Sequence, residues 1–161
     1  AINGPCYGWG LESALACDIR LTTKDAALCF PETRLGIFPG AGGLARLAKT
    51  VPLSTAKMLV MTAKPVHGEE ALRIGLVDGV YEDPKALSIA AKQMAIEIAA
   101  NGPLGVKCTK ELLETFHHQS MSLTDALTAS RVPRMALNET SDFMEGITAF
   151  AEKRTPVFTG C

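Results

Sequence analysis

Two glutamates, Glu12 and Glu32, each stand beside a glycine-rich stretch in a way that suits proton transfer to a bound ligand. Glu12 ends the run Asn3-Gly4-Pro5-Cys6-Tyr7-Gly8-Trp9-Gly10-Leu11-Glu12, where a short apolar segment passes into an Ala/Leu-rich helical turn reaching Cys17. Glycine permits unusual dihedrals and close backbone approach, and the free N–H groups at a helix start favour negative charge. That combination describes an oxyanion site with a carboxylate one turn away. A single Gly-x-Gly equally suits a plain turn between strand and helix. The second block adds weight. Glu32 lies in Phe30-Pro31-Glu32-Thr33-Arg34-Leu35-Gly36-Ile37-Phe38-Pro39-Gly40-Ala41-Gly42-Gly43, another glycine loop that feeds another helix start. A lone glutamate after proline is ordinarily a helix-start charge. Two in matching contexts point to paired acid/base work on one substrate.

The elements that must position these residues follow from periodicity. Ala1-Ile2-Asn3 reads as the end of a buried strand, Asp18 to Thr23 and Ala27 to Phe30 as two strands, and Thr23-Lys24-Asp25 as the turn between them. Gly43 to Thr50 reads as helix, and Ser54 as the cap of another helix through Thr62. Lys64-Pro65-Val66 is extended, Gly68 to Ile74 helical with Gly75 just past its end, and Val77 to Tyr81 a strand. Strand and short helix alternate, which implies mixed α/β layering. From Asp83 the pattern becomes helical throughout. Asp83 caps a helix with Pro84 at its first position and Leu87, Ala90, Ala91, Met94 and Ile98 along one face. Leu104 to about Ser120 forms the next, and Ser122 to Asn138 a third that Pro133 should kink or break, at a cost of about 3 kcal/mol. Ser141 or Asp142 caps a last helix from Phe143 to Lys153, stopped by Pro156. The expected division is therefore 1–82 and 83–161, the second part serving as a lid or in oligomerisation.

Composition narrows the function classes. The 161 residues are 47% hydrophobic and 20% charged, ordinary for a folded domain with a core. A net charge of −1 supplies no basic footprint for nucleic acid. Cys6, Cys17, Cys29, Cys108 and Cys161 make an odd set without Cys-x-x-Cys spacing and read as reduced, mostly structural thiols of an intracellular protein. His67, His117 and His118 lack companions at metal spacing and read as surface or packing residues. No apolar run is long enough to be a transmembrane helix.

The chain resembles the crotonase, or enoyl-CoA hydratase/isomerase, superfamily. The residues that carry the resemblance are Ala1-Ile2-Asn3-Gly4, Gly8-x-Gly10-x-Glu12, Ala14-Leu15-Ala16-Cys17-Asp18-Ile19-Arg20, Pro31-Glu32, Leu35-Gly36, Pro39-Gly40-Ala41-Gly42-Gly43 and Gly75-Leu76-Val77. The tail Glu145-Gly146-x-x-Ala149-Phe150-x-Glu152-Lys153-Arg154 adds to them. The match spans essentially the whole chain in the family's order. It implies a spiral of β-β-α turns (1–82) followed by an all-helical trimerisation region (83–161). It also implies a preceding N-terminal block, absent here, which carries further strands and one oxyanion donor. Glu12 and Glu32 match the family's two catalytic glutamates. Trp9 falls where the family's usual glycine donates the second oxyanion N–H, and Gly40 matches a loop position at the water site. Gly8, Gly10, Pro31 and Lys153 are substrate-binding candidates by the same resemblance.

The Trp9 ring is expected either to pack in the interior or to narrow the acyl pocket. The expected activity is hydration of a 2-enoyl-CoA thioester, with coenzyme A as part of the substrate and no metal or redox cofactor. The expected assembly is a homotrimer or a dimer of trimers in the mitochondrial matrix. Within the family, Leu11-Glu12, Ala14-Leu15-Ala16-Cys17-Asp18-Ile19-Arg20, Glu32-Thr33-x-Leu35, Gly102-Pro103 and Glu152-Lys153-Arg154-x-Pro156 are similar to the branch that hydrates 3-methylglutaconyl-CoA. An isomerase of the same fold and a non-catalytic, RNA-associated member are the alternatives. Retention of both glutamates favours the hydratase.

Overall fold

Thr22 is fully buried because strands flank it on both sides: Ile2 bridges it in parallel, and Val80 pairs with it in parallel. The computed structural model describes residues 1–161. Its five strands are β1 (Cys6–Tyr7), β2 (Leu21–Thr23), β3 (Ala27–Cys29), β4 (Val66–His67) and β5 (Gly79–Tyr81). They form two small sheets, β1-β3-β4 and β2-β5, to the second of which Ile2 adds.

The chain visits these sheets in a repeating order. Ile2 lies on β2, β1 joins the other sheet, and helix α1 (Trp9–Leu15) follows. Next, β2 and β3 make the same pair of visits and are followed by α2 (Gly43–Thr50) and α3 (Leu53–Thr62). These are two successive β-β-α turns. The third passage differs. β4 runs antiparallel to β3, α4 (Gly68–Arg73) comes next, and β5 returns to β2. Gly68 makes that passage possible, since a Cβ there would lie 2.7 Å from the Thr23 carbonyl oxygen and 2.8 Å from Lys24 Cα. The apolar faces of these elements meet in one core that includes Leu11, Leu15, Leu28, Phe30, Leu47 and Leu76.

Two compact units divide the chain, Ala1–Lys92 and Gln93–Cys161. The sequence pattern changes at Asp83, where α5 (Pro84–Ala99) starts, whereas the units part within that helix. Leu87, in its first half, is fully buried in the first unit. As expected, Asp83 caps α5, its Oδ1 accepting from the N–H groups of Lys85 and Ala86 at 2.8 Å. The second unit continues with α6 (Pro103–His118), α7 (Leu123–Asn138) and α8 (Ser141–Glu152).

Several local expectations are corrected. Ser54 does not cap α3; Pro52 stands at that position and Ser54 lies inside the first turn. Residues 18–20 do not join β2, because Arg20 spends its polar groups elsewhere: its N–H donates to Asp78 Oδ2 (2.7 Å) and its Nε to the Leu76 carbonyl (2.8 Å). Pro133 does not break α7, which runs through it. The helix lies against both α6 and α8 and buries no residue of its own within this chain.

The cap of α8 is Thr140, whose Oγ1 accepts from the Phe143 N–H at 3.2 Å, not Ser141 or Asp142. Asp142 is buried instead and anchors the chain end, accepting from the N–H groups of Thr159 (2.7 Å) and Gly160 (2.9 Å). Glu145 fixes the stretch between, with Arg154 on both its oxygens and the Val157 N–H on Oε1.

Candidate active site

Helix α1 starts at Trp9, three residues before the glutamate at which the sequence places its entry. Gly8 is the N-cap, with φ 54 and ψ −122, and its carbonyl accepts from the N–H groups of Leu11 (2.9 Å) and Glu12 (3.0 Å). That conformation belongs to glycine. Trp9 therefore keeps ordinary helical dihedrals, and its Cβ imposes no strain.

Glu12 faces inward from this turn and is only 4% exposed. Its Oε2 accepts from the N–H of Gly43, the first residue of α2, at 2.7 Å. A Cβ on Gly43 would stand 2.5 Å from Glu12 Cγ, so glycine is required there by close approach. Gly43 is the contact of Glu12 that the sequence did not single out. Its signal was the Gly42-Gly43 pair ahead of a helix, visible but not attributable to Glu12 without tertiary contacts.

Glu32 opens a short 3-10 helix, Glu32–Leu35, where the sequence suggested only loop. The carboxylate packs against Gly8: a Cβ on Gly8 would meet Glu32 Oε1 at 2.8 Å. The other oxygen, Oε2, is buried and has no hydrogen-bond partner. Gly8 is itself buried, and its N–H donates to the Cys29 carbonyl at 2.9 Å. The turn Gly8–Glu12 is thus common to both glutamates, one packed on its first residue and the other growing from its last. Burial pushes the Cys29 thiol up; Arg34 pulls it down and Glu32 pushes it up further.

The remaining candidates take different places. The Trp9 ring is 75% exposed, so it is not interior packing within this chain. Pro31 precedes the 3-10 helix in a helical conformation, its Cδ 4.0 Å from the Cβ position of Gly8. Gly10 lies in the first turn of α1, and a Cβ there would meet only Cys6 Sγ at 3.8 Å. Gly40 lies on the exposed loop that leads to Gly43. Lys153 belongs to the second unit, where it ends α8 in the left-handed region at φ 56. All five cysteines are free thiols. His67, His117 and His118 are exposed, and no group of three or more His, Cys, Asp or Glu could hold a metal ion. No helix is long and apolar enough to cross a membrane.

Parallel β-β-α turns, with two carboxylates sharing one glycine-capped helical turn, define an α/β fold of the crotonase type. The family model for enoyl-CoA hydratase/isomerase matches residues 1–161, and the chain belongs to that family. It is 41% identical over 157 residues to the short-chain-enoyl-CoA hydratase of Clostridium acetobutylicum, covering 96% of this chain and 58% of that protein. It is 36% identical over 157 residues to the mitochondrial Δ(3,5)-Δ(2,4)-dienoyl-CoA isomerase of Dictyostelium discoideum, covering 98% and 53%. The crystal structure of enoyl-CoA hydratase from Bacillus anthracis superposes with a TM-score of 0.92 at 36% identity, over 98% of this chain and 60% of that one. The chain therefore spans somewhat more than half the length of the relatives it matches.

Proposed function

We propose that the protein is an enoyl-CoA hydratase that adds water syn across the conjugated double bond of a 2-enoyl-CoA thioester. The observation that carries this reading is the pairing of Glu12 and Glu32 about the Gly8–Glu12 turn, with unequal surroundings. Glu12 Oε2 is occupied by the Gly43 N–H, which leaves Oε1 to orient and deprotonate water. Glu32 Oε2 has no donor and can hold a proton until it is delivered. The water oxygen bonds to the β-carbon as Glu12 takes its proton. The π-electron pair moves onto the thioester oxygen, returns to the α-carbon and accepts the Glu32 proton. Exchange with solvent resets both carboxyls.

Charge on the thioester oxygen is met by the Trp9 N–H, which the first turn of α1 leaves without an intrahelical acceptor. A second donor is assigned to the family's preceding N-terminal block; each is worth about 3 kcal/mol. Gly40 is assigned to the water site, and Gly8, Gly10, Pro31 and Lys153 to substrate. Coenzyme A enters as part of the substrate, and the chemistry calls for no other cofactor.

The branch similarity supports 3-methylglutaconyl-CoA as substrate, hence leucine breakdown. A homotrimer, or a dimer of trimers, accounts for the exposed Leu113, Leu123, Leu127, Val132 and Phe150 on α6–α8. The mitochondrial matrix is the proposed location, supported by the mitochondrial relative.

The isomerase relative supports a second reading, a double-bond shift at the same site. By the family resemblance an isomerase of this fold typically relies on one glutamate, so the pair favours hydration. The test is loss of conjugated-thioester absorbance over a panel of enoyl-CoA esters. Glu12→Gln and Glu32→Gln should each lower hydration by about two to four orders of magnitude. Hydration at the parent rate in either variant would remove that residue from the mechanism, and a double-bond shift surviving in one would favour isomerisation.

A further inference from the structure

The turn that bears Glu32 is tied to the end of a neighbouring helix. The last carbonyls of a helix have no intrahelical partner and attract positive charge. At the end of α3 such carbonyls are met by the two residues that follow Glu32: Thr33 Oγ1 donates to the Val60 oxygen at 2.8 Å, and Arg34 Nη2 to the Ala63 oxygen at 2.7 Å. Cys29 Sγ shares the Ala63 oxygen at 3.2 Å. Ala63 is itself fixed, buried and left-handed at φ 49. On the other side the turn closes through the Ile37 N–H, which donates to the Glu32 carbonyl at 3.3 Å, and through Gly36 at φ 75. No protein donor holds Glu32 Oε2. The position of that oxygen depends on the backbone of the turn, and the turn is held by its neighbours in sequence.

We infer that Arg34, supported by Thr33, is a positioning residue for Glu32: by fastening the 3-10 turn to the end of α3 it sets where the carboxyl meets the α-carbon. This rests on the reading of Glu32 as the acid. Small misplacements of a reacting group cost rate far more than binding, about 100-fold for 1 Å.

The test is steady-state hydration by the whole protein, well below the melting temperature of each variant. Arg34→Met should lower kcat about 10- to 100-fold with KM within about twofold, and Thr33→Val should lower kcat less, with the same split. Arg34→Lys, which keeps a cationic donor on a long stem, should recover most of the rate. In a Glu32→Gln background Arg34→Met should cost nothing further, because a residue that acts through Glu32 has nothing left to position. An unchanged kcat in Arg34→Met and Thr33→Val, or a loss that multiplies in full with that of Glu32→Gln, overturns the inference while leaving Glu32 catalytic. If Arg34→Met fails to fold, Thr33→Val alone and in the Glu32→Gln background decides by the same criteria. A Glu32→Gln variant that hydrates at the parent rate overturns the acid assignment instead, and this inference with it.

Discussion

Gly43 lies so close to Glu12 that a methyl group on it would stand 2.5 Å from the Glu12 Cγ, and the same glycine donates its N–H to Glu12 Oε2 at 2.7 Å. One residue thus supplies both the space and the donor that fix a buried carboxylate. The contact also joins α1 to α2, so the geometry of the proposed base is tied to core packing rather than to a mobile loop.

Replacing that glycine tests the arrangement directly. Gly43→Ala forces Glu12 or the start of α2 to move, which is expected to lower kcat about 100-fold and stability by about 1 to 3 kcal/mol. Turnover and a thermal melt check it together. A parent-like rate with a parent-like melt would mean that the contact is slack.

The glycines on either side of Trp9, Gly8 at the cap and Gly10 in the first turn of α1, should respond with opposite signs. Gly8→Ala meets φ 54 and the Glu32 carboxylate at 2.8 Å, so it should lose about 1 to 3 kcal/mol together with activity. Gly10→Ala meets nothing nearer than 3.8 Å in a helical turn and should gain up to about 1 kcal/mol. Denaturant titration of both variants reads the difference, and equal effects would contradict the assigned geometry.

Trp9 offers a test of specificity, because its ring is exposed while its backbone stays helical. Trp9→Gly keeps the N–H donor, so the rate on the best substrate should stay within about tenfold, while preference moves towards longer acyl chains by roughly 1 to 3 kcal/mol. A kcat/KM series over acyl length measures it. Loss of several orders of magnitude with unchanged preference would assign the ring to loop support.

The end of the chain gives a pH prediction. Arg154 and then the Val157 N–H hold the Glu145 carboxyl down from 4.5 to about 2. A carboxyl depressed in the folded state contributes stability that is present above its unfolded value and is lost as pH falls through the folded one. The second unit should therefore weaken progressively from about pH 4.5 towards pH 2. Glu145→Gln should flatten that part of the profile. The Glu145 side chain is 23% exposed and that of Arg154 40%, so added salt should shrink the effect. A variant profile parallel to that of the parent across this window would refute the assignment.

Much of the fold was legible in the residues themselves. Helix 43–50, the helix starting at Gly68 and the Asp83-Pro84 start of α5 all follow from local chemistry, because caps, periodicity and turn residues act within a few positions of where they sit. The two glutamates were also legible, through the glycine loops beside them. What the sequence could not determine is everything that depends on contacts between distant residues. Asp142 looks like a helix cap and proves to be the anchor of residues 159–160, since a buried carboxylate takes whichever N–H groups the fold brings to it. Pro133 looks like a break, yet α7 runs through it between packed neighbours. The sequence alone determined that Glu12 and Glu32 are both present beside glycine loops. Only the tertiary structure decided that Gly43 holds the first, that Gly8 packs against the second, and that one buried oxygen is left without a partner, because these are relations across tens of residues that no local preference encodes.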